Sequence, residues 1–192
     1  MARIFLDTEK LKNPNSGLGQ FCAHLGIALE KLGGEEFGFY VDKNNYSFFE
    51  SKNIINWKRS HQYFGVSIKA DLWHSVHQEA KYFPKDKATK ILLTIHDLNF
   101  LDKYTGLKRK RKLKNLQRLV NKSNGIAYIS EFTRKIAEQH LKLPDVAQKV
   151  IYNGVSISDI KPIKPKFIND SKAFVFSIGI IGEKKNFHVL IE

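Results

Sequence analysis

The run Lys90-Ile-Leu-Leu-Thr-Ile-His96 constrains this chain more than any other stretch. It is too short for a stable helix and apolar without interruption, which predicts a strand buried on both faces of a parallel sheet. Similar short runs recur at 3–7, 37–41, 71–76, 125–129 and 149–152, and helical patterns lie between them. Over 18–32, Leu18, Phe21, Cys22, Leu25, Ala28, Leu29 and Leu32 recur at three and four, and Gly33-Gly34 closes the stretch. Over 131–142, Phe132, Ile136, Ala137 and Leu141 form a second inward stripe that ends before Pro144. Strands alternating with helices predict an α/β protein with a doubly wound, Rossmann-like parallel sheet. Residues 44–67 are irregular and aromatic, and no element can be assigned there.

The last twenty residues open a second unit. Ala173-Phe-Val-Phe-Ser-Ile-Gly179 reads as a buried strand, followed by a glycine loop and the first turns of a helix. That is half of a βαβ unit, and half a unit cannot cover its apolar face. The expectation is therefore the front part of a longer protein: a domain over 1–160, a proline-stiffened linker over 161–170 and a truncated second α/β domain over 171–192.

Lys+Arg number 32 against 19 Asp+Glu, giving a net charge of +13, and the excess is concentrated. Lys108, Arg109, Lys110, Arg111, Lys112 and Lys114 sit in a stretch without an acidic residue, with Leu113, Leu116 and Val120 as a narrow apolar stripe. One reading is a solvated helix face. The other is a surface for an anionic partner, such as phospholipid headgroups, a phosphorylated glycan or nucleic acid. Nucleic acid fits least, since the run has no recognised motif and no aromatic stacking platform near it. A single cysteine, Cys22, excludes an internal disulfide, and with no apolar run of eighteen residues the expected location is the cytoplasm.

Ligands of open α/β sheets bind beyond the carboxyl ends of the strands. Those ends, as read from the sequence, carry Gly17 and Gly19, His74, His77 and Gln78, His96 and Asp97, Ser130 and Glu131, and Asn153-Gly154. Gly17-Leu-Gly19 offers backbone N–H groups to a phosphate, but Cys22 occupies the third glycine position of a dinucleotide fingerprint. A nicotinamide cofactor is not expected. His74, His77 and His96 are a conceivable metal set, yet the spacing falls on a strand corner and not on a helix face, so no metal is expected. His96 ends an apolar strand, which predicts a side chain directed outside the core.

At these residues the chain resembles the N-terminal domain of a retaining GT-B glycosyltransferase, specifically glycosyltransferase family 4. The resemblance runs from Arg3 to the last residue. It is carried by Lys90–Asp97 with its Leu-Thr-Ile-His-Asp end, Gly125-Ile-Ala-Tyr-Ile-Ser-Glu-Phe-Thr-Arg134, Lys149-Val-Ile-Tyr-Asn-Gly-Val155 and the segment 179–186. It implies transfer of a sugar from a nucleotide-diphosphate sugar to a glycan or lipid-linked acceptor with retention, without a bound metal and with no nucleic acid. It implies that His96 reaches the transferred sugar, and that Gly17, Gly19, Ser130, Glu131 and Lys185 serve the donor. His74, His77, Gln78 and Asp97 then fall on the acceptor side. Lys185 would stabilise the charge that develops on the departing diphosphate. The implied setting is polysaccharide or lipopolysaccharide synthesis, in the cytoplasm or peripherally at the inner face of the cell membrane.

Two positions depart from the pattern. Ile180 stands where the family often has arginine, and Ser156 where an aspartate commonly follows Asn-Gly-Val. The family's paired glutamates fall beyond Glu192, so this chain alone is expected not to turn over. The reading from a different class is a basic α/β module that binds an anionic glycan or membrane surface without chemistry.

Overall fold

The structure is a computed structural model that describes residues 1–155 together with Lys161 and Val189. Met1–Gly154 forms one compact unit. The expected segments at 161–170 and 171–192, and with them Lys185, lie outside the described residues apart from the two named. Seven strands form a single sheet in the order β3-β2-β1-β4-β5-β6-β7, and every pairing is parallel. They are β1 (Arg3–Asp7), β2 (Glu36–Val41), β3 (Ile54–Asn56), β4 (Leu72–Ser75), β5 (Lys90–Ile95), β6 (Gly125–Tyr128) and β7 (Ala147–Val150). The helices are α1 (Gly17–Leu32), α2 (His61–Phe64), α3 (Phe100–Lys103), α4 (Gly106–Lys122) and α5 (Glu131–His140). This is a Rossmann-like, doubly wound α/β fold.

Register decides which helix covers which face. Leu6 pairs with Phe39 and His74, while Phe5 pairs with Gly38 and Trp73. Leu6, Phe39 and Val41 bury against Cys22 and Ala23 of α1. On the opposite face Phe5, Tyr40 and Trp73 pack with Val66 and Tyr82. Trp73 pairs with Ile91, so Leu93 and Ile95 lie on that second face, where with Ile126 and Tyr128 they meet Leu116 and Val120 of α4 and Ala137 of α5. The sheet is thus covered from both sides, which is why β5 needs apolar residues at successive positions.

Two helical stripes differ from the sequence expectation. Leu32 is exposed, as is Ala28, and Gly26 and Ala23 face the sheet instead. Gly26 is needed there, because a Cβ would stand 2.3 Å from a Phe49 ring atom and 2.9 Å from a Phe39 ring atom. Phe132, expected inward, is 73% exposed, because the buried face of α5 is set by Thr133 and Ala137, four residues apart, and Phe132 lies about 100° away from Thr133 around the helix. The last strand is Ala147–Val150, shifted towards the N-terminus from 149–152. The stretch 44–67 takes in most of a 3-10 helix at Lys43–Phe48, the three-residue strand β3 and the single turn of α2.

Candidate functional site

Strand order reverses between β1 and β4. From β1 the chain leaves for α1 on one face, and from β5 and β6 it leaves for α4 and α5 on the other. The carboxyl ends of β1 and β4 are therefore left uncovered by crossovers, the position at which doubly wound sheets bind ligands. A cavity of about 360 Å³ lies there, lined by Asp7 from the end of β1, Glu9, Lys10 and Lys12 from the following 3-10 helix, Trp57 and Arg59 after β3, Gln62 of α2, and His77, Glu79, Lys81 and Tyr82 after β4. A second cavity of about 300 Å³ lies beyond β5, lined by His96, Asp97, Asp102, Arg109, Phe132, Thr133 and His140 among others.

The three histidines expected at this edge have separate environments. His74 is buried on the α1 face with Nε2 2.8 Å from the Thr94 hydroxyl of β5. Burial, reinforced by His96, pushes its pKa down to about 4, so it is a neutral core group. His77 lines the first cavity, and its Nδ1 accepts the Glu79 N–H at 3.0 Å, which places its proton on Nε2. Burial and the nearby Lys10 lower its pKa to about 4. His96 lines the second cavity, 5.9 Å from His77 between ring centroids.

His96 is 8% exposed, so the expectation that its side chain stands outside the core is corrected. Its Nε2 lies 2.9 Å from the Val76 carbonyl, which can only accept, so Nε2 carries the proton and Nδ1 the lone pair. Burial lowers its pKa and keeps it neutral. Its backbone N–H donates to Gln78 Oε1 at 3.0 Å, and its carbonyl accepts from the Thr133 hydroxyl at 2.9 Å. Phe21 of α1 meets the ring edge-on at 4.6 Å between centroids. Ring and backbone are thus fixed from the β4–β5 loop, α5 and α1 together.

Gln78 and Asp97 are part of that clamp: Gln78 Nε2 donates to Asp97 Oδ1 at 3.4 Å, and the same oxygen accepts the Asn99 N–H at 3.0 Å. Gly17 and Gly19 lie in the first turn of α1 and not in a loop ahead of it. The Gly19 N–H is taken by the Ser16 hydroxyl at 3.0 Å, and a Cβ on Gly19 would stand 2.1 Å from the Asn13 carbonyl oxygen. Gly17 is exposed, with nothing within 4 Å of a built Cβ. Ser130 caps α5 by accepting the Thr133 N–H at 3.1 Å, and exposed Glu131 sits in the first turn, where a carboxylate complements the helix dipole.

The basic run lies on α4 but does not share one surface. Arg109 lines the His96 cavity, and Lys112 forms an ion pair with Glu79. Lys108 stands over the Tyr104 ring at 4.0 Å, so an aromatic group does lie beside the run, already engaged by a cation. Lys108, Lys110, Arg111 and Lys114 are exposed. Among the described residues no three His, Cys, Asp or Glu side chains are grouped to hold a metal ion, and no helix is long and apolar enough to cross a membrane.

Asp7, Lys10, Lys12 and Arg59 were not among the residues singled out from sequence. Asp7 closes β1 and is 5% exposed, and burial raises its carboxyl pKa from 3.8 to about 7. The signal was present in the strand end itself, but the reversal that opens the cavity beside it depends on strand order. No protein-family model matches this chain, and no curated protein matches it.

Proposed function

We propose that this chain is the acceptor-side domain of a retaining glycosyltransferase of GT-B architecture, using a nucleotide-diphosphate sugar and a glycan or lipid-linked acceptor. The observation that carries the reading is His96: a neutral imidazole at the carboxyl edge of the sheet, clamped by Val76, Gln78 and Thr133. Its Nδ1 has no hydrogen-bond partner among the described residues. In that state it accepts a hydrogen bond from a sugar hydroxyl without introducing charge, and its clamp removes the entropy cost of orienting it.

The motifs of the resemblance also fall at strand ends, which supports the reading. Leu93–Asp97 covers the end of β5, Gly125–Arg134 covers β6 and the capped start of α5, and Lys149–Val155 follows from the last strand. In this reading Ser130, Glu131 and Gly17 border the donor, Lys185 neutralises its diphosphate, and the exposed cations of α4 hold the protein at the inner, anionic face of a membrane. The test is transfer of labelled sugar from a panel of UDP-, GDP- and ADP-sugars to lipid-linked glycans by the protein that carries this chain. Donor hydrolysis without acceptor dependence, or no transfer from any donor, would count against it.

A further inference from the structure

The cavity between β1 and β4 has a composition that the transfer reading uses only at His77. Its cations outnumber its available acids. Glu79 is already paired with Lys112 on α4, and Glu9 with both Lys10 and Lys12. Arg59 and Lys81, both exposed, form no ion pair among the described residues, although both line the cavity. The same cavity also has an aromatic lining. Trp57 and Tyr82 meet edge-on at 5.9 Å between centroids, with Lys12 Nζ 5.7 Å from the Trp57 ring.

The lining also carries groups that read hydroxyls. His77, with Nδ1 engaged by the Glu79 N–H, has Nε2–H as its donor. Gln62 adds an amide with both polarities, and Asp7 a carboxyl whose Oδ1 accepts the Glu9 N–H at 3.3 Å. A volume of about 360 Å³ lies near the lower end of small-ligand pockets, roughly 300–1,000 Å³.

We infer that this cavity binds a phosphorylated monosaccharide, with the sugar ring against Trp57 and Tyr82 and the phosphate between Arg59 and Lys81. An aromatic face suits the C–H side of a sugar ring, hydroxyls need the mixed donors and acceptors of His77, Gln62 and Asp7, and Arg presents a planar fork to phosphate. The inference concerns binding alone and stands whether or not the protein transfers sugars.

The chain is titrated calorimetrically with hexose 1-phosphates and 6-phosphates, with the matching free hexoses and with inorganic phosphate, at one fixed salt concentration. At least one hexose phosphate is expected to bind about tenfold or more tightly than either inorganic phosphate or its free hexose. Arg59→Gln and Lys81→Gln, both at exposed positions, should each weaken that binding several-fold, and Arg118→Gln on α4 should not. Equal affinity for inorganic phosphate would reduce the site to an unselective cationic patch and overturn the inference. So would an Arg118→Gln effect as large as that of Arg59→Gln, or no binding by any hexose phosphate.

Discussion

Replacing Asp7 with asparagine removes a carboxyl that the fold holds protonated near neutral pH, and the consequence can be worked out in sign and size. Below about pH 4 the group is protonated in both folded and unfolded chains and contributes nothing. As pH rises from 3.8 to about 7 the unfolded chain loses its proton while the folded chain keeps it, so stability falls, and above 7 the full cost is present. At about 1.36 kcal/mol per pH unit the gap comes to roughly 4 kcal/mol as a ceiling. Asparagine retains an oxygen to accept the Glu9 N–H but cannot ionise. Its amide must find an acceptor, at a cost of about 1–3 kcal/mol if it does not, so the absolute difference is less diagnostic than its slope. Urea denaturation followed by circular dichroism, from pH 4.5 to 8, gives the difference between variant and wild type. The variant should gain on the wild type by about 2–4 kcal/mol across that range, most of it between pH 5 and 7. His74 and His77, whose pKa values are lowered to about 4, act in the opposite direction, losing stability as pH falls from 6.5, but they are present in both proteins and largely cancel. A difference independent of pH would show that the folded cavity holds Asp7 ionised, and would refute the account of its burial.

Gly19→Ala should destabilise the unit by about 1–3 kcal/mol, read as a lowered urea midpoint, because its Cβ meets the Asn13 backbone and not a flexible side chain. Gly17→Ala, with open space around it, should leave stability within about 0.5 kcal/mol, so any loss of donor affinity in that variant reports on binding alone. Vesicle co-sedimentation should show salt-sensitive binding to anionic and not neutral lipid, carried by the exposed Lys108, Lys110, Arg111 and Lys114 at about 1 kcal/mol each. Equal binding to neutral vesicles would contradict an electrostatic origin.

Local chemistry made much of the fold readable. β5 and the α4 stripe of Leu116 and Val120 follow from hydrophobic runs and periodicity, and the alternation of elements is enough to require a parallel sheet. β3 escaped because three residues carry no period, and its place at the edge beside β2 comes from pairing with Phe39 to Val41. Phe132 misled because its spacing of four from Ile136 matches a helical stripe, whereas the buried stripe is the one a residue further on, Thr133 and Ala137. In the site, His96 could be placed at a strand end, but its tautomer depends on the Val76 carbonyl, twenty residues away in sequence. The dispersal of the basic run is a matter of helix geometry: residues two apart on a helix point about 200° apart, so Arg109 and Arg111 line different cavities.

The central claim rests on His96, and the most direct measurement compares sugar transfer by the protein carrying this chain in its native form with transfer by the His96→Ala and His96→Gln variants. Circular dichroism and urea midpoints establish that each variant is folded before rates are compared. A positioned polar group at the reacting centre typically contributes about 10²-fold or more. Folded variants should therefore lose transfer by at least that factor. Near-native rates in folded variants would return His96 to a structural role, holding β5 to the β4–β5 loop, and would contradict the assignment.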